Sequence, residues 1–137
     1  MNSANAPADP QLQFRALQQQ VAQLRGQGDA QAAQAVALAA LQLRFSAQLA
    51  LQLLELQLLP AVQWSQRASW LHGMQQLLER GHGQALVRLL NHLLPQYPLD
   101  QQRQQLLAAL DEAQLFAGQS AALNALWQRL RRLHGRP

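Results

Sequence analysis

The segment Ala33–Leu59 constrains this chain more than any other. It reads AQAVALAALQLRFSAQLALQLLELQLL, with one cation (Arg44), one anion (Glu55) and neither Gly nor Pro until Pro60. Alanine, leucine and glutamine are good helix formers, so composition and periodicity agree on one unbroken helix. At 1.5 Å per residue that helix would be about 40 Å long. Val36, Ala40, Leu43, Ala47, Ala50, Leu54 and Leu58 recur at steps of four and three and form one apolar line. Leu38, Leu41, Phe45, Leu49, Leu53 and Leu56 form a second line on nearly the opposite side. The first is rich in Ala and admits close approach of another helix, whereas the second is bulkier. A helix apolar on two sides is covered on two sides. Either it is the centre of its own bundle, or the second line is a partner interface. Periodicity marks burial without naming what does the burying.

A bilayer span is the competing reading, because the length suits one. Gln42, Arg44, Gln48, Gln52, Glu55 and Gln57 would each need a partner in hydrocarbon, and no aromatic belt flanks the segment. No membrane span is expected.

The rest of the chain is read around this helix. Its 137 residues are enough for one domain with its own core, taken as 9–137. The first eight residues, MNSANAPA, have no cationic side chain and lead into no apolar run. They read as a disordered tail rather than a signal peptide. Asp9-Pro10 starts a helix whose seam is Phe14, Leu17, Val21 and Leu24. Gly26-Gln27-Gly28 ends it and Asp29 caps the long helix, which predicts an antiparallel hairpin.

Pro60 ends or kinks the long helix, or opens a new one. Beyond it lies a stripe of Trp64, Ala68, Leu71 and Leu78 with Trp70, Met74 and Leu77 beside it. Both Trp read as core anchors, with exposed hot spots the alternative. Gln84–Leu94 is amphipathic. A helix from Gln101 to about Ala117, capped by Asp100, points Leu106, Leu107, Leu110 and Ala113 inward. The last, Ala121–Leu133, buries Leu123, Leu126, Trp127, Leu130 and Leu133. The fold class is therefore all-α: a helical bundle or stacked α-hairpins, about six helices around one long central helix. Strands are not expected, because aromatic and β-branched residues are few.

Three turns share a pattern: Gly28 with Ala32, Gly81 with Ala85, and Gly118 with Ala122. Each Gly reverses the chain, and each Ala lets two helices approach. Over Trp70–Leu133 the chain resembles tetratricopeptide-type helical hairpins. The likeness rests on Gly81 with Ala85, on Gly118 with Ala122, and on Tyr97-Pro98-Leu99-Asp100, which looks like the Pro-Asp link between repeats. The interval from Gly81 to Gly118 is 37 residues, against roughly 34 in that family. Such hairpins stack into scaffolds for peptides or partner proteins, some bacterial secretion chaperones among them, and the resemblance implies that role.

Chemistry is sparse. Cysteine is absent, which excludes disulfides and thiolate chemistry and fits a reducing cytoplasm. His72, His82 and His92 fall ten apart, not at the spacing that puts two metal ligands on one helix face. Asp111 and Glu112 are adjacent, so they diverge by about 100° on a helix and make a poor catalytic pair. No phosphate loop, nucleophile elbow or dinucleotide fingerprint occurs. No enzyme, cofactor or metal is expected. All 11 cations are Arg, read as the bias of a GC-rich bacterial genome, and the formal charge is +4.

Arg129, Arg131, Arg132 and Arg136 cluster at the C-terminus. They complement a helix dipole, or dock an acidic partner or nucleic acid. Two functions follow. The first is a cytoplasmic, non-enzymatic protein-interaction module, an adaptor, assembly factor or chaperone that binds another protein or itself. Its interface is the line Leu38, Leu41, Phe45, Leu49, Leu53 and Leu56. The alternative is a small nucleic-acid-associated regulator using the terminal Arg residues.

Overall fold

The computed structural model describes residues 9–135. The N-terminal segment read as a tail, residues 1–8, and Arg136 of the terminal cluster lie outside the described residues. The chain is all-α. Among the described residues there are seven α-helices and no strand: α1 Pro10–Gly26, α2 Ala30–Leu43, α3 Ala47–Leu58, α4 Arg67–Glu79, α5 Gly83–Leu93, α6 Asp100–Glu112 and α7 Ala121–His134. The described residues divide into two compact units, with the boundary between Leu53 and Leu54. The sequence reading takes one domain from 9 to 137.

The single long helix expected over Ala33–Leu59 does not form, which is why there are seven helices. Arg44 N–H still donates to the Ala40 carbonyl at 3.2 Å. Its φ of −164° and ψ of 137° then turn the backbone extended. Helix resumes at Ala47. Ser46 supplies the restart: its Oγ accepts from Leu49 N–H at 3.2 Å, and its carbonyl accepts from Ala50 N–H at 2.9 Å. That is an N-cap, a role serine favours. The Arg44 guanidinium lies 5.4 Å from the centre of the Phe14 ring on α1, a cation–π contact. A cap and a tertiary contact outweigh helix propensity here.

In the first unit, α1 and α2 form the expected hairpin. Asp9 Oδ1 accepts from Gln11 N–H at 2.9 Å with Pro10 as first helical residue, and Asp29 Oδ1 accepts from Ala32 N–H at 3.1 Å. Gly28 closes α1 with φ +78°; its N–H reaches the Arg25 carbonyl and Asp29 N–H reaches the Leu24 carbonyl. On α1, Phe14 and Val21 are buried, with Leu17 and Leu24 half-buried. On α2 the buried residues are Ala33, Gln34, Ala37 and Ala40. Small residues on α2 let the α1 seam approach closely.

In the second unit, α4 and α5 pack together, α5 packs on α7, and α6 packs on α7. The core includes Leu58, Trp70, Met74, Leu77, Leu86, Leu90, Leu93, Leu94, Leu106, Leu110 and Leu130. Phe116 stacks on Trp127 with ring centres 4.5 Å apart. Gly81 and Gly118 both take positive φ, as the shared turn pattern requires. The close approach of helices falls elsewhere than expected. Ala85 is only half-buried and Ala122 is exposed, whereas Gly83 is buried and a Cβ there would sit 2.5 Å from Leu123 Cδ2.

Two boundaries differ from the expectation. Asp100 is the first residue of α6 rather than its cap, and its Oδ1 accepts from Arg103 at 2.9 Å. α6 stops at Glu112, not near Ala117, because Gln114 adopts φ +52°. Gln114 N–H donates to the Asp111 carbonyl at 2.9 Å and Leu115 N–H to the Leu110 carbonyl at 3.3 Å. This is a position glycine usually fills. Its consequence is that Ala113 is exposed and Ala109 takes the inward place. Gln114→Gly should therefore stabilise the protein by about 1 kcal/mol: crowding of Cβ costs roughly 1–2 kcal/mol here, partly offset by the freedom glycine gains when unfolded. A urea midpoint that rises supports this; one that falls contradicts it.

Candidate functional site

The line expected as an interface is divided by the Arg44–Ser46 break. Leu38 and Leu41 stand on α2, Phe45 lies in the break, and Leu49, Leu53 and Leu56 stand on α3. Leu38 is 40% exposed, Leu41 and Phe45 are half-buried, and Leu49, Leu53 and Leu56 are buried. The six do not form one exposed stripe.

What the structure does expose is one face of α2. Gln31, Ala35, Leu38, Ala39, Gln42 and Leu43 all face outward, at helical spacings that keep them together. Leu43 is 46% exposed. It belongs to the Ala-rich line expected to pack inward, and that line divides at this end: Ala40 is buried and Leu43 is open. The residues of α2 that are buried in the hairpin with α1 are Ala33, Gln34, Ala37 and Ala40, on the other side of the helix. No charged residue occurs anywhere in α2. On α1, Leu12 is also exposed.

The two tryptophans part. Trp70 is fully buried, and its Nε1–H donates to the Gln63 carbonyl at 3.2 Å. Trp64 is exposed and meets Trp70 edge-on, ring centres 5.8 Å apart. It borders a shallow groove with Gln105, Ala108 and Ala109, and the Arg67–Glu112 pair, 3.6 Å apart, lies on the same rim.

The basic cluster is smaller than its sequence. Arg131 pairs with Asp111 on α6 at 2.6 Å. Arg129 and Arg132 are exposed and form no ion pair among the described residues. Leu133, expected inward, is 65% exposed. The inward line of α7 runs Leu123, Trp127, Leu130 and then His134, which puts Leu133 on its shoulder. His134 Nε2 lies 3.0 Å from Asn91 Oδ1, and its carbonyl accepts from Gln104 Nε2 at 3.0 Å. Partial burial, and then the nearby Arg103 charge, hold the His134 imidazole below its ordinary pKa.

A cleft of about 410 Å³ opens where the first turns of α5 and α7 meet, with His82, Arg88, Gln119 and Ser120 in its lining. Ser120 caps α7, accepting from Leu123 N–H at 3.2 Å. Among the described residues no group of three or more His, Asp or Glu side chains is placed to hold a metal. Among them, too, no helix is long and apolar enough to cross a membrane. The break at Arg44 divides the one segment whose length suited that role. No family model, curated protein or solved structure matches the chain.

Proposed function

We propose that this is a non-enzymatic protein-interaction module, an adaptor, assembly factor or chaperone of bacterial type, acting in the cytoplasm. The observation that carries the reading is the outward face of α2, where Leu38 and Leu43 stand open on a helix without a charge. Apolar side chains grouped on an uncharged helix face gain by being covered. A second copy of the chain is the first partner to test. The chain carries +4, yet two copies meeting through α2 bring no like charges of that helix together. The tetratricopeptide-type likeness of Trp70–Leu133 belongs to the same proposal and points to a scaffold role.

The interface proposed here keeps Leu38 of the original line and adds Leu43 to it. Leu38→Asp with Leu43→Asp should abolish association in sedimentation velocity while leaving the helical circular dichroism of the chain at the wild-type level, as exposed positions allow. Association that survives the double substitution sinks the α2 surface. The alternative, nucleic-acid binding through Arg129, Arg131, Arg132 and Arg136, has less to recommend it, because Arg131 is paired with Asp111. Phosphate binding would weaken steeply with salt and would respond to Arg131→Glu with Arg132→Glu.

A further inference from the structure

We propose that the cleft between α6 and α7 is a docking site for an acidic segment of a partner protein, with Arg132 taking a carboxylate of that segment. The cleft measures about 450 Å³. Gln104, Leu107 and Asp111 line it from α6, and Gln128, Arg131 and Arg132 line it from α7. Two contacts tie these walls together. Gln104 Nε2 donates to the His134 carbonyl at 3.0 Å, and Arg131 pairs with Asp111.

Charge identifies the occupant. Two guanidinium groups line the cleft, and one carboxylate answers them. Asp111 Oδ2 lies 2.6 Å from an Arg131 nitrogen, whereas Arg132 is exposed and makes no ion pair among the described residues. The internal pair shows the chemistry that the cleft accepts, a carboxylate against a guanidinium at the distance of a charge-assisted hydrogen bond. Arg132 keeps its charge at any working pH, so a second carboxylate gains a partner there without displacing the first.

A second copy of the chain does not supply that group. The sequence has seven acidic residues, and its one adjacent pair, Asp111 and Glu112, is engaged by Arg131 and Arg67. Nucleic acid fits less well than an acidic segment. Its backbone brings a charge with every nucleotide, and Asp111 stands in the same cleft to repel it. A peptide brings one carboxylate between neutral residues. That the carboxylate belongs to a partner protein rests on the interaction reading above. The site itself does not, and the α2 face takes no part in its test.

The experiment titrates the full chain with a blocked Ala-Leu-Glu-Leu-Ala peptide and follows the arginine Nε–H and α7 backbone signals by 15N NMR. The same peptide with Gln in place of Glu, and hexathymidylate, are the comparison probes. The glutamate peptide should move the Arg132 signals, and the glutamine peptide should not. Arg132→Gln should weaken binding about fivefold, and Asp111→Asn, which releases Arg131, should tighten it about threefold, as exposed ion pairs allow. Arg129→Gln removes the same charge from outside the cleft and should weaken binding far less. Equal losses from Arg129→Gln and Arg132→Gln would overturn the site, and so would an Asp111→Asn variant that binds no tighter than wild type. Binding of the glutamine peptide as tightly as the glutamate peptide would overturn it as well. Hexathymidylate bound more tightly than the glutamate peptide would overturn the acidic segment as occupant and assign the cleft to phosphate.

Discussion

Trp70→Ala is expected to cost about 3–5 kcal/mol of stability, the range for deleting a large aromatic side chain from a packed interior. Trp70 is fully closed to solvent, and Met74 and Leu77 on the same helix are closed as well. The loss has two parts: a cavity of indole size, and the hydrogen bond from Nε1–H to the Gln63 carbonyl. Trp64 provides the control. It is 40% exposed and touches Trp70 only edge-on, so Trp64→Ala should cost about 1 kcal/mol. Urea unfolding of both variants measures the contrast. Similar losses would mean that the two rings share one core, against the burial that separates them.

Tyr97→Phe should cost about 1–3 kcal/mol although it removes a single oxygen. The Tyr97 hydroxyl is buried and donates to the Leu58 carbonyl at 2.7 Å, across 39 residues of sequence. Leu58 is the last residue of α3, so its carbonyl is one of those that a helix end leaves without an internal partner. Burial pushes the Tyr97 phenol far above its ordinary pKa, which favours the neutral hydroxyl that donates. The substitution strands the carbonyl in an apolar setting. Thermal or urea unfolding reads the loss; a midpoint equal to wild type would mean that the carbonyl finds water or another donor.

Much of this architecture is legible in the residues. Asp9-Pro10 and Asp29 announce helix starts, and their carboxylates cap as that chemistry requires. Gly28, Gly81 and Gly118 mark reversals, and all three take the left-handed conformation that only glycine adopts without strain. The amphipathic pattern of α5 places Leu86, Leu90 and Leu93 inside and Gln84, Arg88 and Asn91 outside, as spacing predicts. What escapes is each place where tertiary context overrides a local preference. Arg44 and Phe45 carry no helix-stopping signal, and the one clue is Ser46, the only serine in a run of Ala, Leu and Gln. Gln114 in a glycine conformation gives no warning, because the cost falls on the side chain and not on the pattern. Tyr97 reads as part of the Tyr97-Pro98-Leu99-Asp100 link between hairpins, and only the fold reveals that its hydroxyl reaches the end of α3.

The candidate site shows the same division. A periodicity argument finds two apolar lines on residues 33–59 but assigns the bulkier one to contact throughout. Along α2 the residues buried in the hairpin with α1 include Ala33, Ala37 and Ala40, and both Leu38 and Leu43 stand open. Along α3 the lines lose their distinction, since Leu49, Leu53 and Leu56 are buried together with Ala50, Leu54 and Leu58. Arg131 is legible as a cation and not as half of an ion pair, because Asp111 is twenty residues away in sequence and on another helix.

The measurement that bears most directly on the proposed role is the solution mass of the intact chain by light scattering, at low and at high salt. An apolar α2 face covered by a second copy predicts a multiple of 15.3 kDa at both ionic strengths, since burial of uncharged surface is not screened. A mass of 15.3 kDa at both would contradict self-association through α2. An excess mass that dissolves as salt rises would contradict it too, and would turn attention to Arg129 and Arg132 instead.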